Sequence, residues 1–153
     1  MRMLAALLPL ALISSPMAAS PQRMSGAFSE RQVYFNDGAP PTLKIDMEIK
    51  VDKDTLTYRG VNTMDPANPI ITEFSGKFDG KVRPYVGRHF DHLAIHKLHH
   101  DEFLVEKYQD GQVVIGEFWR YAADTDEWIR HGVVAKMPGG KTRTYVEYYR
   151  RQK

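Results

Sequence analysis

IITEFSGKFDGKVRPYV, residues 70–86, is the stretch on which the reading of the whole chain turns. Ile70, Thr72, Phe74, Gly76 and Phe78 alternate with Ile71, Glu73, Ser75 and Lys77, the period of two expected of a strand with one buried face. Asp79-Gly80 follows. That dipeptide tolerates the positive φ of a two-residue turn, so it predicts a hairpin into residues 82–86.

The pattern repeats on both sides. Upstream, Leu43, Ile45, Met47, Ile49 and Val51 alternate with Lys44, Asp46, Glu48 and Lys50, and Asp52-Lys53-Asp54 turns the chain into residues 55–61. Residues 62–69 hold two prolines and no periodicity, which reads as a longer loop. Residues 28–35 read as a short first strand, closed by the loop Asn36-Asp37-Gly38-Ala39-Pro40-Pro41. Downstream, runs at 92–98, 103–108, 113–122, 127–136 and 142–150 are separated by polar or glycine-rich turns, among them Asp110-Gly111, Asp124-Thr125-Asp126 and Pro138-Gly139-Gly140. Strands at this spacing predict an all-β, antiparallel up-and-down meander of about eight strands. With no long helix to cover a sheet face, closure into a small lipocalin-like barrel removes both exposed edges. Such a barrel is just wide enough to be filled by its side chains or to hold one small ligand.

The chain begins as a secretory signal does: Arg2, an apolar run over residues 3–13, then Ser14, Ser15, Pro16, Ala18, Ala19 and Ser20. The run is well short of the roughly 20 residues that span a bilayer. The expected organisation is a signal peptide over 1–19, a flexible lead over 20–27 and a single barrel domain over 28–153, acting in the periplasm or outside the cell, with no integral membrane segment in the mature chain. The sequence contains no cysteine, so no disulfide supports that domain. Its core must suffice, and at this length it can bury roughly two thirds of the unfolded surface. The formal net charge of +2 is interspersed and forms no basic stripe, so nucleic acid is not an expected partner.

Phe78-Asp79-Gly80-Lys81 before Pro84-Tyr85, then Lys107-Tyr108-Gln109-Asp110-Gly111-Gln112-Val113-Val114, then Gly139-Gly140-Lys141 before a last strand, form a recognisable series. It resembles a group of small secreted bacterial proteins with FDGK-x-YP-like and KKDGKVV-like hairpins and a closing DGKT-like turn. Ser25-Gly26-Ala27-Phe28 is similar to the SGTW-like opening of that group. The resemblance implies a lipocalin-type barrel with room for a ligand. It carries over no catalytic residues.

No catalytic constellation stands out from the residues themselves. There is no G-x-S-x-G elbow, and Gly139-Gly140-Lys141-Thr142 lacks the upstream glycine and following helix of a phosphate loop. His89, His92, His96, His99 and His100 crowd one region, and on a strand His92 and His96 share a face. No cysteine or tight carboxylate spacing accompanies them, so neither a metal nor another cofactor is expected. A paired-carboxylate hydrolase site cannot be picked out from scattered acids.

Aromatic content concentrates toward the C-terminus. With regular hairpins, Trp119, Tyr121, Trp128, Arg130, Val134, Val146 and Tyr148 fall on one face, and Phe118, Ile129, His131, Val133, Tyr145 and Tyr149 on the other. Trp119, Tyr121, Trp128, Arg130 and Tyr148 are therefore the candidate ligand-binding residues, Arg130 supplying charge between two rings. Glu117 shares that face and, by neutralising Arg130, would make the cation structural. The expected protein is an exported, non-catalytic barrel binding a small amphipathic or acidic ligand. The alternative is a structural or interaction protein of the cell envelope with a filled barrel and its aromatic patch outside.

Overall fold

Ten strands follow one helical turn in the computed structural model of the chain, which describes residues 20–41, 44–86, 89–135 and 140–153. They are α1 (Pro21–Met24), β1 (Gly26–Phe35), β2 (Ile45–Val51), β3 (Thr55–Asn62), β4 (Ile70–Lys77), β5 (Arg83–Pro84), β6 (His92–Lys97), β7 (Glu102–Gln109), β8 (Gln112–Ala122), β9 (Glu127–Val134) and β10 (Arg143–Arg151). All pair antiparallel in one sheet of order β4-β3-β2-β1-β10-β9-β8-β7-β6-β5. This is the meander expected, with ten strands rather than about eight: residues 26–35 form a full strand, and β5 has only two residues. The signal segment expected over 1–19 lies outside the described residues. No helix among the described residues is long and apolar enough to cross a membrane.

β1 closes the ring by pairing β2 over its first residues and β10 along most of its length, with a bulge between Glu30 and Gln32. The other junction is a seam. Asp79 makes a single bridge to His96, and the Gly80 N–H donates to the Ile95 carbonyl at 3.0 Å. The hairpin expected at Asp79-Gly80 does not form: β4 and β5 do not pair, and β5 pairs β6 instead. Of the two residues only Gly80 has positive φ, at 68°. The Asp79 carboxylate turns back on its own segment, accepting from Arg83 Nη1 and Nη2 at 2.7 Å each and from the Lys81 N–H at 3.1 Å. Asp110-Gly111, by contrast, takes positive φ at both residues (52° and 74°) and joins Gln109 to its partner Gln112 in a two-residue hairpin.

Period-two alternation decides what is buried. Met47, Ile49 and Val51 of β2, Leu56 and Tyr58 of β3, Phe103 and Val105 of β7, and Trp119 and Tyr121 of β8 all point into the barrel. One end is filled. Residues 20–27, expected to be a flexible lead, instead form α1 and enter β1: Met24 is buried, and the Trp128 indole N–H donates to its carbonyl at 3.0 Å. Ser25 Oγ accepts from the Val51 N–H at 2.9 Å, and Arg151 Nη1 donates to the Ser25 carbonyl at 2.8 Å. The turn therefore stops the barrel like a bung whose backbone groups are satisfied by the strands around it.

Candidate functional site

The opposite end remains open. A cavity of about 260 Å³ enters there, walled by Phe35, Ile45, Ile115 and Val134 and floored by Tyr58, Lys107, Glu117, Arg130, Tyr145 and Glu147. The barrel is thus hollow at the mouth and filled below. A larger hollow of about 420 Å³ lies on the outside of β1, β8, β9 and β10, over Tyr34, Phe118, His131, Val133 and Val146, and it lacks buried charge.

Buried charge distinguishes the inner cavity. Arg130 is 3% exposed; its Nε donates to Glu147 Oε2 at 2.7 Å, and its Nη2 lies 2.6 Å from the same oxygen. Arg130 Nη1 donates to the Tyr58 hydroxyl at 3.2 Å, and Nη2 also donates to the Tyr149 hydroxyl. The guanidinium carbon lies 4.6 Å from the Tyr149 ring centre and 5.0 Å from that of Trp119, so aromatic faces flank the cation. Beside it, Lys107 Nζ lies 2.9 Å from Glu117 Oε2, the Trp119 indole N–H donates to the same oxygen at 3.1 Å, and the Tyr145 hydroxyl donates to Oε1.

Two glycines make this floor possible. The Tyr145 ring lies across Gly132, its cross-strand partner, and the Tyr58 hydroxyl folds over Gly60. A Cβ at either position would meet the phenol. The phenols reach Glu117 and Arg130 because those side chains are absent.

The electrostatics follow from burial and pairing. Burial opposes ionisation of Glu117, but Lys107 and Arg130 outweigh it and hold the carboxyl down at about 2. Burial raises the Glu147 carboxyl despite Arg130, since Glu117 adds like charge. Burial and the nearby Glu147 push Glu30, on β1, up to about 7. Glu30 Oε2 is buried without a hydrogen-bond partner. Burial also works against the Arg130 charge, yet Glu147 and the surrounding phenols keep its proton held well above the ordinary arginine range.

The five expected ligand residues separate. Trp119 and Arg130 are cross-strand partners and both are buried, but only Arg130 lines the cavity; Trp119 packs against the guanidinium and donates to Glu117. Tyr121 and Trp128 are buried at the filled end, Tyr121 donating to Asp126. Tyr148 is on the outer face, edge-on to Tyr34 at 6.4 Å between ring centres. The expected register was one residue off on β10: Arg130 pairs with Glu147, so Tyr145, Glu147 and Tyr149 point inward while Val146 and Tyr148 point out. A one-residue slip exchanges the two faces. Arg130, expected to offer its charge to a ligand, is neutralised by Glu147, and Glu117, the alternative partner, pairs with Lys107 instead. Lys107 could have been found from the alternation Phe103, Val105, Lys107; Glu147 could not without the register of β10 against β9.

Four of the five clustered histidines, His92, His96, His99 and His100, lie against local carboxylates. His92 pairs with Asp91 at 2.8 Å and His96 with Glu106 at 3.0 Å, while His99, His100 and Asp101 bring donor atoms within 4.8 Å of one another on the β6–β7 loop at the filled end. None of them lines the mouth cavity.

Neither a protein-family model nor a curated protein matches the chain. Its structure is similar to that of the fluorescent protein UnaG, with a TM-score of 0.64 and 14% identity over 87% of this chain and 100% of that one. It is also similar to a Schistosoma mansoni fatty acid binding protein in complex with arachidonic acid (TM-score 0.61, 14% identity, 88% of this chain and 100% of that one). A fatty-acid-binding protein from brain tissue of Drosophila melanogaster matches at TM-score 0.51 and 15% identity, over 81% of this chain and 95% of that one. The fold is therefore that of the fatty-acid-binding-protein and lipocalin-like barrels, as expected from the turns.

Proposed function

We propose that the protein is a small-molecule binding barrel that takes one small amphipathic ligand into its mouth, polar end down. The observation that carries this reading is the half-filled interior. A barrel serving only as a structural element has no reason to keep a cavity of about 260 Å³ above four buried charges, since removing both ion pairs in favour of apolar packing is often stabilising. The volume lies just under the roughly 300–1,000 Å³ of drug-sized sites, which fits a short-chained or single-ring molecule. The polar floor orients the ligand and Phe35, Ile45, Ile115 and Val134 receive its apolar part. That neighbours of this fold include fatty-acid-binding proteins supports the reading.

A neutral fluorescent probe titrated into the protein tests it: one equivalent binds, and Ile115→Trp, which fills the mouth without touching the charged floor, abolishes binding while the fold persists. Unchanged binding in that variant moves the site elsewhere.

We propose in addition that the protein acts beyond the cytoplasmic membrane. The support is the Arg2-led apolar run over residues 3–13 and the small residues that follow it up to Ser20, the N-cap of α1. Intact-mass measurement of protein from its own host is expected to give a chain starting near Ser20, and a full-length product refutes export.

A further inference from the structure

We infer that the mouth cavity selects an uncharged polar head, an alcohol or amide, and discriminates against a carboxylate. This rests on the binding reading above and adds the class of ligand to it.

The argument is one of charge already matched. Three cations line the cavity: Arg130 from β9 and Lys107 from β7 at the floor, and Arg143 from the start of β10. The two at the floor each have a buried carboxylate in contact, Glu147 from β10 at 2.6 Å and Glu117 from β8 at 2.9 Å, and Arg143 donates through Nε and Nη2 to Asp37 Oδ2 at 3.0 and 2.8 Å. Glu30 on β1, outside the cavity lining, adds a third carboxyl close enough to Glu147 to feel its charge, and its Oε2 is buried and unpartnered among the described residues. An incoming carboxylate would shed its water and meet no uncommitted cation, while adding repulsion from Glu147 and Glu117.

Hydrogen-bonding capacity points the same way. Arg130 commits its Nε and both Nη groups to Glu147, Tyr58 and Tyr149, and Glu117 accepts from Lys107, Trp119 and Tyr145. Lys107 carries three N–H donors, of which the ion pair with Glu117 engages one. A hydroxyl or amide oxygen can accept from the remainder without importing charge, so the ligand gains a bond and the site keeps its balance. Glu147 is then a specificity-determining residue. Its negative charge works by excluding the wrong head group.

Competition against the bound neutral probe at pH 7.5, with decanol, decanamide, decanoate and decylammonium as matched competitors, tests this. Decanol and decanamide are expected to displace the probe at concentrations at least tenfold below either charged chain. Glu147→Gln, close to isosteric, frees Arg130 and is expected to tighten decanoate at least tenfold. The double variant Arg130→Gln/Glu147→Gln is expected to lose that gain, which no general loosening of the fold would produce. Decanoate or decylammonium competing as well as decanol in the unaltered protein overturns the inference while leaving the binding reading intact. Failure of every competitor to displace the bound probe overturns the inference, and failure of the probe itself to bind overturns both.

Discussion

Arg130 and Glu147 stand directly opposite each other on β9 and β10, 2.6 Å apart and 3% and 1% exposed. With so little of either side chain open to solvent, neither charge recovers more than a small part of its hydration if the other is removed. Arg130→Ala is therefore expected to destabilise the protein by about 3–5 kcal/mol, as for other broken buried pairs. The double replacement Arg130→Met/Glu147→Leu removes both desolvation costs and is expected to cost less than either single alanine variant. Chemical denaturation of the unaltered protein, Arg130→Met, Glu147→Leu and the double variant closes the cycle, and additive losses would show the two residues to be energetically independent.

Glu30 makes stability depend on pH from the alkaline side. Its folded-state value of about 7 stands above the ordinary 4.5, because burial and Glu147 favour the protonated form. The associated stabilisation is complete below about pH 4.5 and is lost as pH rises through 7. Glu147 is shifted in the same direction, whereas Glu117, held at about 2, contributes stability above 4.5 that disappears on acidification. The melting temperature is expected to peak between these limits and to fall from pH 6 to pH 8.5. Glu30→Gln should flatten that fall and gain about 1 kcal/mol at pH 8.5, less than the full shift implies because Glu30 is partly in contact with water. An unchanged alkaline slope in the variant would assign it to other groups.

How far the fold was legible depended on whether a signal was local. Alternation placed Met47, Ile49, Leu56, Phe74 and Trp119 inside, because period two is a property of each strand alone. Asp110-Gly111 marked its hairpin, since two residues of suitable φ are sufficient there. Asp79-Gly80 offered the same letters and forms a seam, because Arg83 four residues on captures the aspartate. The site was half legible for a related reason. Trp119 beside Arg130 follows from the four-residue turn between Ala122 and Glu127, while Glu147 and Tyr149 depend on the register of β10 against β9. Met24 as a bung was beyond reach, since a four-residue helix leaves no periodicity.

Gly132 is required by its neighbour. The Tyr145 ring crosses it so closely that a Cβ would meet the ring carbons and the hydroxyl. Gly132→Ala is expected to cost about 1–3 kcal/mol through overpacking and to turn the phenol away from Glu117. Tyr145→Phe in the same background should then add little, since the hydrogen bond is already lost. A full additional loss from that second change would mean that the strand had moved and the bond to Glu117 had survived.

The seam between β4 and β6 is held by little main-chain pairing, so it should be the first part of the wall to open. Across it run one bridge, Asp79 to His96, and the Gly80 bond to Ile95, while inside Gly76 lies against the side chains of Ile95 and Leu93. The elements facing it on the other side of the barrel are paired along their length, Trp119 to Arg130 and Arg130 to Glu147 among them. Local opening draws on the least-bonded segment. Amide hydrogen exchange is therefore expected to be faster at Gly80 and along the free edge of β4 than at the central residues of β8 and β9. Asp79→Ala removes the carboxylate that fixes Arg83 and the Lys81 N–H, and should accelerate exchange at Gly80 with little change at Trp119. Equal acceleration at both amides would indicate that the variant acts on global stability, and none at either would show that the apolar contacts of Gly76, Leu93 and Ile95 hold the seam without the clamp.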